Sequence, residues 1–165
     1  MKNKYFNWGV IGTGGIAKAF TADIKRLKNH RVSAVLSRSI HTAESFSSYA
    51  PSCNGFDSMD AFLKQSKVDA VYVATPNPFH CGQTIEALNA GKPVVCEKPF
   101  SMDRKEADLM VQTSKTNGVT LLDGMWTRYL PHISKIRNLI SDGAIGDIES
   151  AVSYTHLTLP TSDLV

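Results

Sequence analysis

The sequence predicts an α/β fold, a doubly wound parallel sheet, on three observations. Apolar strand-like runs alternate with segments of helical periodicity from the start of the chain to Asp123. These runs are continuous rather than alternating, as strands covered on both faces require. The first run also ends in glycines, and a helical pattern begins at once: Trp8-Gly9-Val10-Ile11-Gly12-Thr13-Gly14-Gly15-Ile16-Ala17.

Taken in order, a first strand is expected over Phe6 to Ile11 and a helix over Gly15 to Lys28, with Ala17, Phe20, Ile24 and Leu27 on its inner face. Val32 to Leu36 is a second strand, and His41 to Tyr49 a short helix stopped by Pro51. Asn54-Gly55 reads as a turn, and Ser58 caps a short helix holding Met59, Phe62 and Leu63. Asp69 to Ala74 is a third strand, followed by a helix with Asn77 as N-cap and Pro78 at its first position, ending at Gly91. Pro93 to Cys96 is a strand. Asp103 and Glu106 form a capping box for a helix with Ala107, Met110, Val111 and Ser114 on one face, and Val119 to Leu122 is a strand again. Beyond Asp123 the rhythm changes. Leu130 to Ile140 is helical with Ile133, Ile136 and Ile140 in register, and Gly146-Asp147-Ile148 turns into a new strand. The expected division is a doubly wound domain over 1–123, the start of a second domain over 124–151, and a non-native tail over 152–165.

Composition excludes several classes. A chain 42% hydrophobic and 20% charged has the makings of a globular core, and a net charge of +3 with no basic run between aromatics gives no footprint for nucleic acid or a membrane surface. The three cysteines, Cys53, Cys81 and Cys96, lack metal-ligand spacing and read as free thiols. The histidines show no ligand spacing either, so no metal is expected. The opening apolar run is too short for a signal peptide or a span, which makes the cytoplasm the expected location.

Chemistry in such a sheet gathers at the carboxyl ends of the strands, where strand order reverses. At the first of these ends Gly12, Gly14 and Ala17 fill a G-x-G-x-x-G/A spacing. Gly12 permits the turn, Gly14 lets a pyrophosphate approach the backbone, and the helix that follows offers unpaired N–H groups, from Gly15 and Ile16 onward, to an anion. The second end carries Ser37-Arg38-Ser39. An acid there would bind the ribose hydroxyls of NAD and repel a 2′-phosphate; hydroxyls and a guanidinium match the phosphate of NADP. The bland reading of Arg38 is a solvated surface arginine. Thr75-Pro76-Asn77-Pro78-Phe79-His80 and Glu97-Lys98-Pro99 follow the next strands. Lys98 there could hold a substrate oxygen, or belong to an ordinary surface Glu-Lys pair. Asn77 and His80 could line a nicotinamide pocket or make local bonds only. Trp126 and Arg128 could be packing residues, or an aromatic wall and a hydroxyl binder. Asp23, Asp57 and Asp69 read as surface or turn residues.

The strings Gly12-Thr13-Gly14-Gly15-Ile16-Ala17, Thr75 to His80 and Glu97-Lys98-Pro99, in this order, resemble the glucose-fructose oxidoreductase, inositol dehydrogenase and MocA (Gfo/Idh/MocA) family over Tyr5 to about Ala151. Gly124-Met125-Trp126-Thr127-Arg128-Tyr129-Leu130-Pro131 and Arg38 look like the branch holding dimeric dihydrodiol dehydrogenases and NADP-dependent D-xylose 1-dehydrogenases. The resemblance implies a Rossmann domain of an NADP-dependent oxidoreductase acting on sugars or diols, with NAD the lesser cofactor and a homo-oligomer as the full-length state. It carries cofactor binding to Gly12, Gly14, Gly15, Ile16, Ser37, Arg38, Thr75, Asn77, His80, Glu97 and Lys98, a catalytic role to Lys98, and substrate contacts to Trp126 and Arg128. The family's second domain is present only at its start, so this chain alone is expected to be inactive.

A nucleotide-sensing regulator of the same fold is the alternative, and Glu97-Lys98-Pro99 favours the enzyme because a sensor needs no lysine there. A methyltransferase shares the glycine turn but has no use for Lys98 or Arg38. Val152-Ser153-Tyr154-Thr155-His156-Leu157-Thr158-Leu159-Pro160-Thr161 matches what one frame of a widely used transposase sequencing adapter encodes, and the resemblance stops at the same place.

Overall fold

A computed structural model describes residues 5–64 and 67–151. The expectation for residues 152–165 lies outside them. The described chain divides after Met125 into two compact units.

In the first unit, strands β1 (Phe6–Ile11), β2 (His30–Leu36), β3 (Asn54–Phe56), β4 (Ala70–Val73), β5 (Val94–Cys96) and β6 (Leu121–Asp123) form one sheet in the order β3-β2-β1-β4-β5-β6. Every neighbouring pair is parallel. The chain winds outward from β1 to β3, then returns to β4 on the other side of β1. The reversal of strand order therefore falls between β1 and β4, as the alternating strand and helix pattern predicts.

The continuous apolar strands are explained by the two cores. Successive side chains point to opposite faces. Ile11, Ala34, Leu36, Val71 and Val73 pack on one face with Phe62 of α3 (Met59–Leu63), Leu88 of α4 (His80–Asn89) and Met110 of α5 (Arg104–Asn117). Val10, Val35 and Tyr72 pack on the other with Ala17 and Ile24 of α1 (Gly15–Ile24) and Ala43 of α2 (Ile40–Ser45). Both faces are dry, so both need apolar residues.

Several local expectations are corrected. Asn54-Gly55 is not a turn but the start of β3, paired with Ala34 and Val35 of β2. Gly55 allows this because a Cβ there would lie 2.9 Å from the Ala43 backbone of α2. Helix α1 stops at Ile24, four residues before Lys28, and Leu27 is half exposed in the turn that follows. Asn77 is no N-cap: residues Asn77–Phe79 form a 3-10 turn entered from Pro76, and α4 begins at His80. The α5 face buries only Met110, while Val111 is exposed and Ser114 donates to the Val119 carbonyl at 2.6 Å. The N-terminus of α5 is held as expected. Asp103 Oδ1 accepts from the Glu106 N–H (2.9 Å), although Glu106 Oε2 reaches the Met102 N–H rather than that of Asp103.

The amino end of the sheet carries a buried polar network that the pattern does not reveal. Asn7 is fully buried. Its N–H and Nδ2 both donate to Asp69 Oδ2 (2.7 and 2.8 Å), and its Oδ1 accepts from Arg31 Nε at 2.8 Å. Asp69 is thus a structural acceptor between β1 and β4, not a plain turn residue.

In the second unit a 3-10 turn (Trp126–Tyr129) leads into α6 (Pro131–Ser141). Leu130 is the N-cap and Pro131 opens the helix, as an early proline should. No residue of α6 is buried, and residues 148–151 are not a strand.

Candidate cofactor site

The site grows from the turn between β1 and α1. Gly12 adopts φ +109°, and a Cβ there would lie 2.7 Å from the Ala74 carbonyl oxygen, so both backbone shape and the approach of β4 demand glycine. Gly14 is a different case. Its φ of −71° suits any residue, and a Cβ there would meet no protein atom within 4 Å. The fold does not need Gly14; the open space beside it suits a ligand close to the backbone. Gly14 is also the N-cap of α1 with no side-chain cap, and no acid occupies the first turn. The opening N–H groups, at Gly15 and Ile16, therefore face outward without a rival anion, the arrangement that binds pyrophosphate.

A cavity of about 570 Å³ opens beside this turn. The glycine turn forms one wall, and Leu36, Ser37 and Arg38 of the β2 end form another. Asp57 and Met59 enter after β3, and Thr75, Pro76, Phe79 and Gln83 after β4. The exposed Arg38 guanidinium has no hydrogen bond or ion pair among the described residues. Thr75 Oγ1 donates to Gln83 Oε1 at 2.6 Å, which fixes the glutamine amide against the cavity.

At the end of β5 the buried Glu97 carboxylate is fully organised. The Tyr72 hydroxyl donates to Oε1, and the Lys98 N–H donates to Oε2 at 3.1 Å. Burial first, then the hydrogen bond to Glu97, pushes the Tyr72 phenol well above its ordinary value, so it stays a donor. Phe20 stacks on Tyr72 at 3.9 Å between ring centroids and closes this corner. Lys98 is exposed, its ammonium unpaired among the described residues, and its bond to Pro99 is cis.

His80 departs from its expected place against the cofactor. It is fully buried, with Nδ1 2.9 Å from the Pro99 carbonyl oxygen and Nε2 2.7 Å from that of Thr75. Both nitrogens face carbonyl oxygens of the loops after β4 and β5, so the buried His80 ring sits between those loops and outside the cavity lining. Asn77 keeps a side chain with no hydrogen bond among the described residues. Trp126 and Arg128 stand exposed on the 3-10 turn of the second unit.

Sequence reasoning missed Asp57, Met59 and Gln83 as cavity residues and Tyr72 as the partner of Glu97. Asp57 was open to discovery as the first residue after a strand, had β3 not read as a turn. The others needed the packing of α3 and α4, which local pattern does not encode.

Comparison with known proteins agrees with the fold. The oxidoreductase family with an NAD-binding Rossmann fold matches residues 6–125. A trans-1,2-dihydrobenzene-1,2-diol dehydrogenase of Mus musculus is 33% identical over 146 residues, covering 87% of this chain and 44% of its own. The NADP(+)-dependent D-xylose 1-dehydrogenase of Hypocrea jecorina is 36% identical over 153 residues, covering 86% and 39%. Among solved structures, apo scyllo-inositol dehydrogenase from Lactobacillus casei superposes with a TM-score of 0.80 at 25% identity, covering 89% of this chain and 44% of that one. The chain thus spans less than half the length of these curated relatives. Because the match begins with the first residue of β1 and runs through the whole sheet to Met125, the chain belongs to the Gfo/Idh/MocA oxidoreductase family.

Proposed function

We propose that this chain is the NADP-binding part of a dehydrogenase that moves a hydride between nicotinamide and a carbon of a sugar or diol. The observation that carries the cofactor choice is Arg38, unpaired at the end of β2 where an acid would select NAD. The relatives named above, one of them NADP-dependent, support it. The residues present fit such a nucleotide: Gly14 leaves room for the pyrophosphate, Gly15 and Ile16 offer N–H groups, and Ser37 with Arg38 offers donors to a 2′-phosphate. Thr75, Asn77 and Glu97 complete the cofactor's contacts.

When bound, the nicotinamide supplies the two-electron acceptor. Lys98 would hold the substrate oxygen and stabilise the negative charge that develops on it during hydride transfer. Glu97 fixes the backbone from which Lys98 projects, and Tyr72 fixes Glu97. In the same reading Trp126 supplies an aromatic wall and Arg128 a hydroxyl binder for the substrate. The free ammonium of Lys98 favours an enzyme over a nucleotide sensor, which has no use for it.

The test is a fluorescence titration with NADPH and with NADH, at low and moderate salt. NADPH is expected to bind at least tenfold more tightly, as a charged hydrogen-bonded phosphate allows. Equal affinities, or a preference for NADH, would overturn the assignment.

A further inference from the structure

The cavity beside the glycine turn carries opposite charges on two neighbouring strand ends. Arg38 follows β2 and Asp57 follows β3, and both line it. The glycine turn, Ser37 and Arg38 account for the phosphates of an NADP molecule. None of them calls for an acid, and a carboxylate in a phosphate site works against binding unless it meets a donor of its own. Asp57 has no such partner among the described residues: it accepts no hydrogen bond and forms no ion pair. The other walls near it are of a different kind. Leu36, Met59, Pro76 and Phe79 are apolar, and they come from the end of β2, the start of α3 and the segment after β4. Such a lining suits the two faces of a flat aromatic ring, with the carboxylate left for the ring's edge.

Few donors of the dinucleotide can reach Asp57. The 3′-hydroxyl of the adenosine ribose adjoins the 2′-phosphate and stays with Arg38. The carboxamide travels with the nicotinamide, away from the β2 and β3 ends. The 6-amino group of adenine remains, a donor on the edge of a flat ring. We infer that Asp57 accepts a hydrogen bond from the adenine 6-amino group, with Met59, Pro76 and Phe79 against the ring. Asp57 is thereby a specificity-determining residue for the base of the cofactor. This rests on the NADP reading above.

The inference separates adenine from hypoxanthine, in which a carbonyl replaces the 6-amino group. That change removes the 6-amino donor and turns a carbonyl acceptor toward the carboxylate, moving the edge's donor to N1, and a site built for a donor at position 6 rejects such an analogue. The experiment is a fluorescence titration of the full chain with NADPH, NADH and the hypoxanthine analogue of NADPH, on the natural protein, Asp57→Asn and Asp57→Ala. Asp57 is exposed, and urea unfolding checks that both variants keep the fold.

The natural chain is expected to bind NADPH at least tenfold more tightly than the analogue. Asp57→Asn, whose amide donates to the carbonyl, should bring that ratio below threefold, and Asp57→Ala should lower it by weakening NADPH alone. A ratio near one in the natural chain, or a ratio unchanged in Asp57→Asn, overturns the role of Asp57. If NADPH still outcompetes NADH in that case, only the adenine contact fails. Loss of the preference for NADPH over NADH, or no binding of NADPH at all, overturns the cofactor reading and this inference with it.

Discussion

The two ends of the sheet treat polar groups in opposite ways. At the amino end Asn7, Arg31 and Asp69 are bonded to one another across β1, β2 and the approach to β4. At the carboxyl end Arg38, Asp57 and Lys98 have no partner among the described residues, and Gly14 leaves an open space that the fold does not use. A buried polar group left unpaired costs free energy, so a satisfied network serves folding. Charges held at a cavity without partners do nothing for the fold and are available to a ligand. Unpaired charges thus stand at the carboxyl end of the sheet, beside the paired Tyr72 and Glu97.

This contrast can be broken most directly at Lys98. In the complete enzyme Lys98→Met should lower kcat by about 10³-fold, within the usual range for a group acting on transition-state charge, with little change in NADPH affinity. A near-normal kcat would remove Lys98 from the chemistry. At the other end, Asn7→Ala should cost about 3 kcal/mol of unfolding free energy, because it removes a fully buried amide and strips donors and an acceptor from its neighbours. Urea unfolding measures this through the midpoint, and NADPH affinity of the folded fraction should stay unchanged. A weaker cofactor with unchanged stability would reverse the contrast.

Arg38→Ala sharpens it from the carboxyl end: NADPH should weaken by about 2 kcal/mol, or roughly 30-fold, while the unfolding midpoint holds. Gly14→Ala is expected to reduce NADPH affinity about tenfold and to shift stability by less than about 0.5 kcal/mol, since the added methyl meets only the ligand's space. The smallest effect concerns Cys96. Burial pushes its thiol up to about 11, and Cys53 is raised by burial as well. At pH 8 only about one Cys96 thiol in a thousand is ionised, so iodoacetamide should label it negligibly in the native state and readily in urea. Fast native labelling would show that this face of the core opens.

Much of this architecture is written locally. Continuous apolar runs bounded by Gly, Pro and Asn mark β1, β2, β4 and β5, because a strand covered on both faces favours apolar residues along most of its length. The glycine spacing and the absence of an acid after β2 are read directly, since backbone approach and phosphate charge constrain residue type at single positions. Three-residue β3 was not legible, because its sequence Asn-Gly-Phe has turn chemistry and becomes a strand only by pairing with Ala34, Val35 and Leu36. The same pairing delivers Asp57 to the cavity. His80 reads as a site residue from its motif, yet burial between Thr75 and Pro99 sets it between loops and outside the cavity lining. Asp69 reads as a surface acid, yet it meets Asn7, far away along the chain. By itself the sequence determined where β1, β2, β4 and β5 form and which residues of the β1 and β2 ends suit a phosphate, since those follow from side-chain size, charge and backbone freedom at one place. The tertiary structure alone decided which polar groups are consumed by partners and which stay free for a ligand, because hydrogen-bond satisfaction depends on groups that only the folded chain brings together.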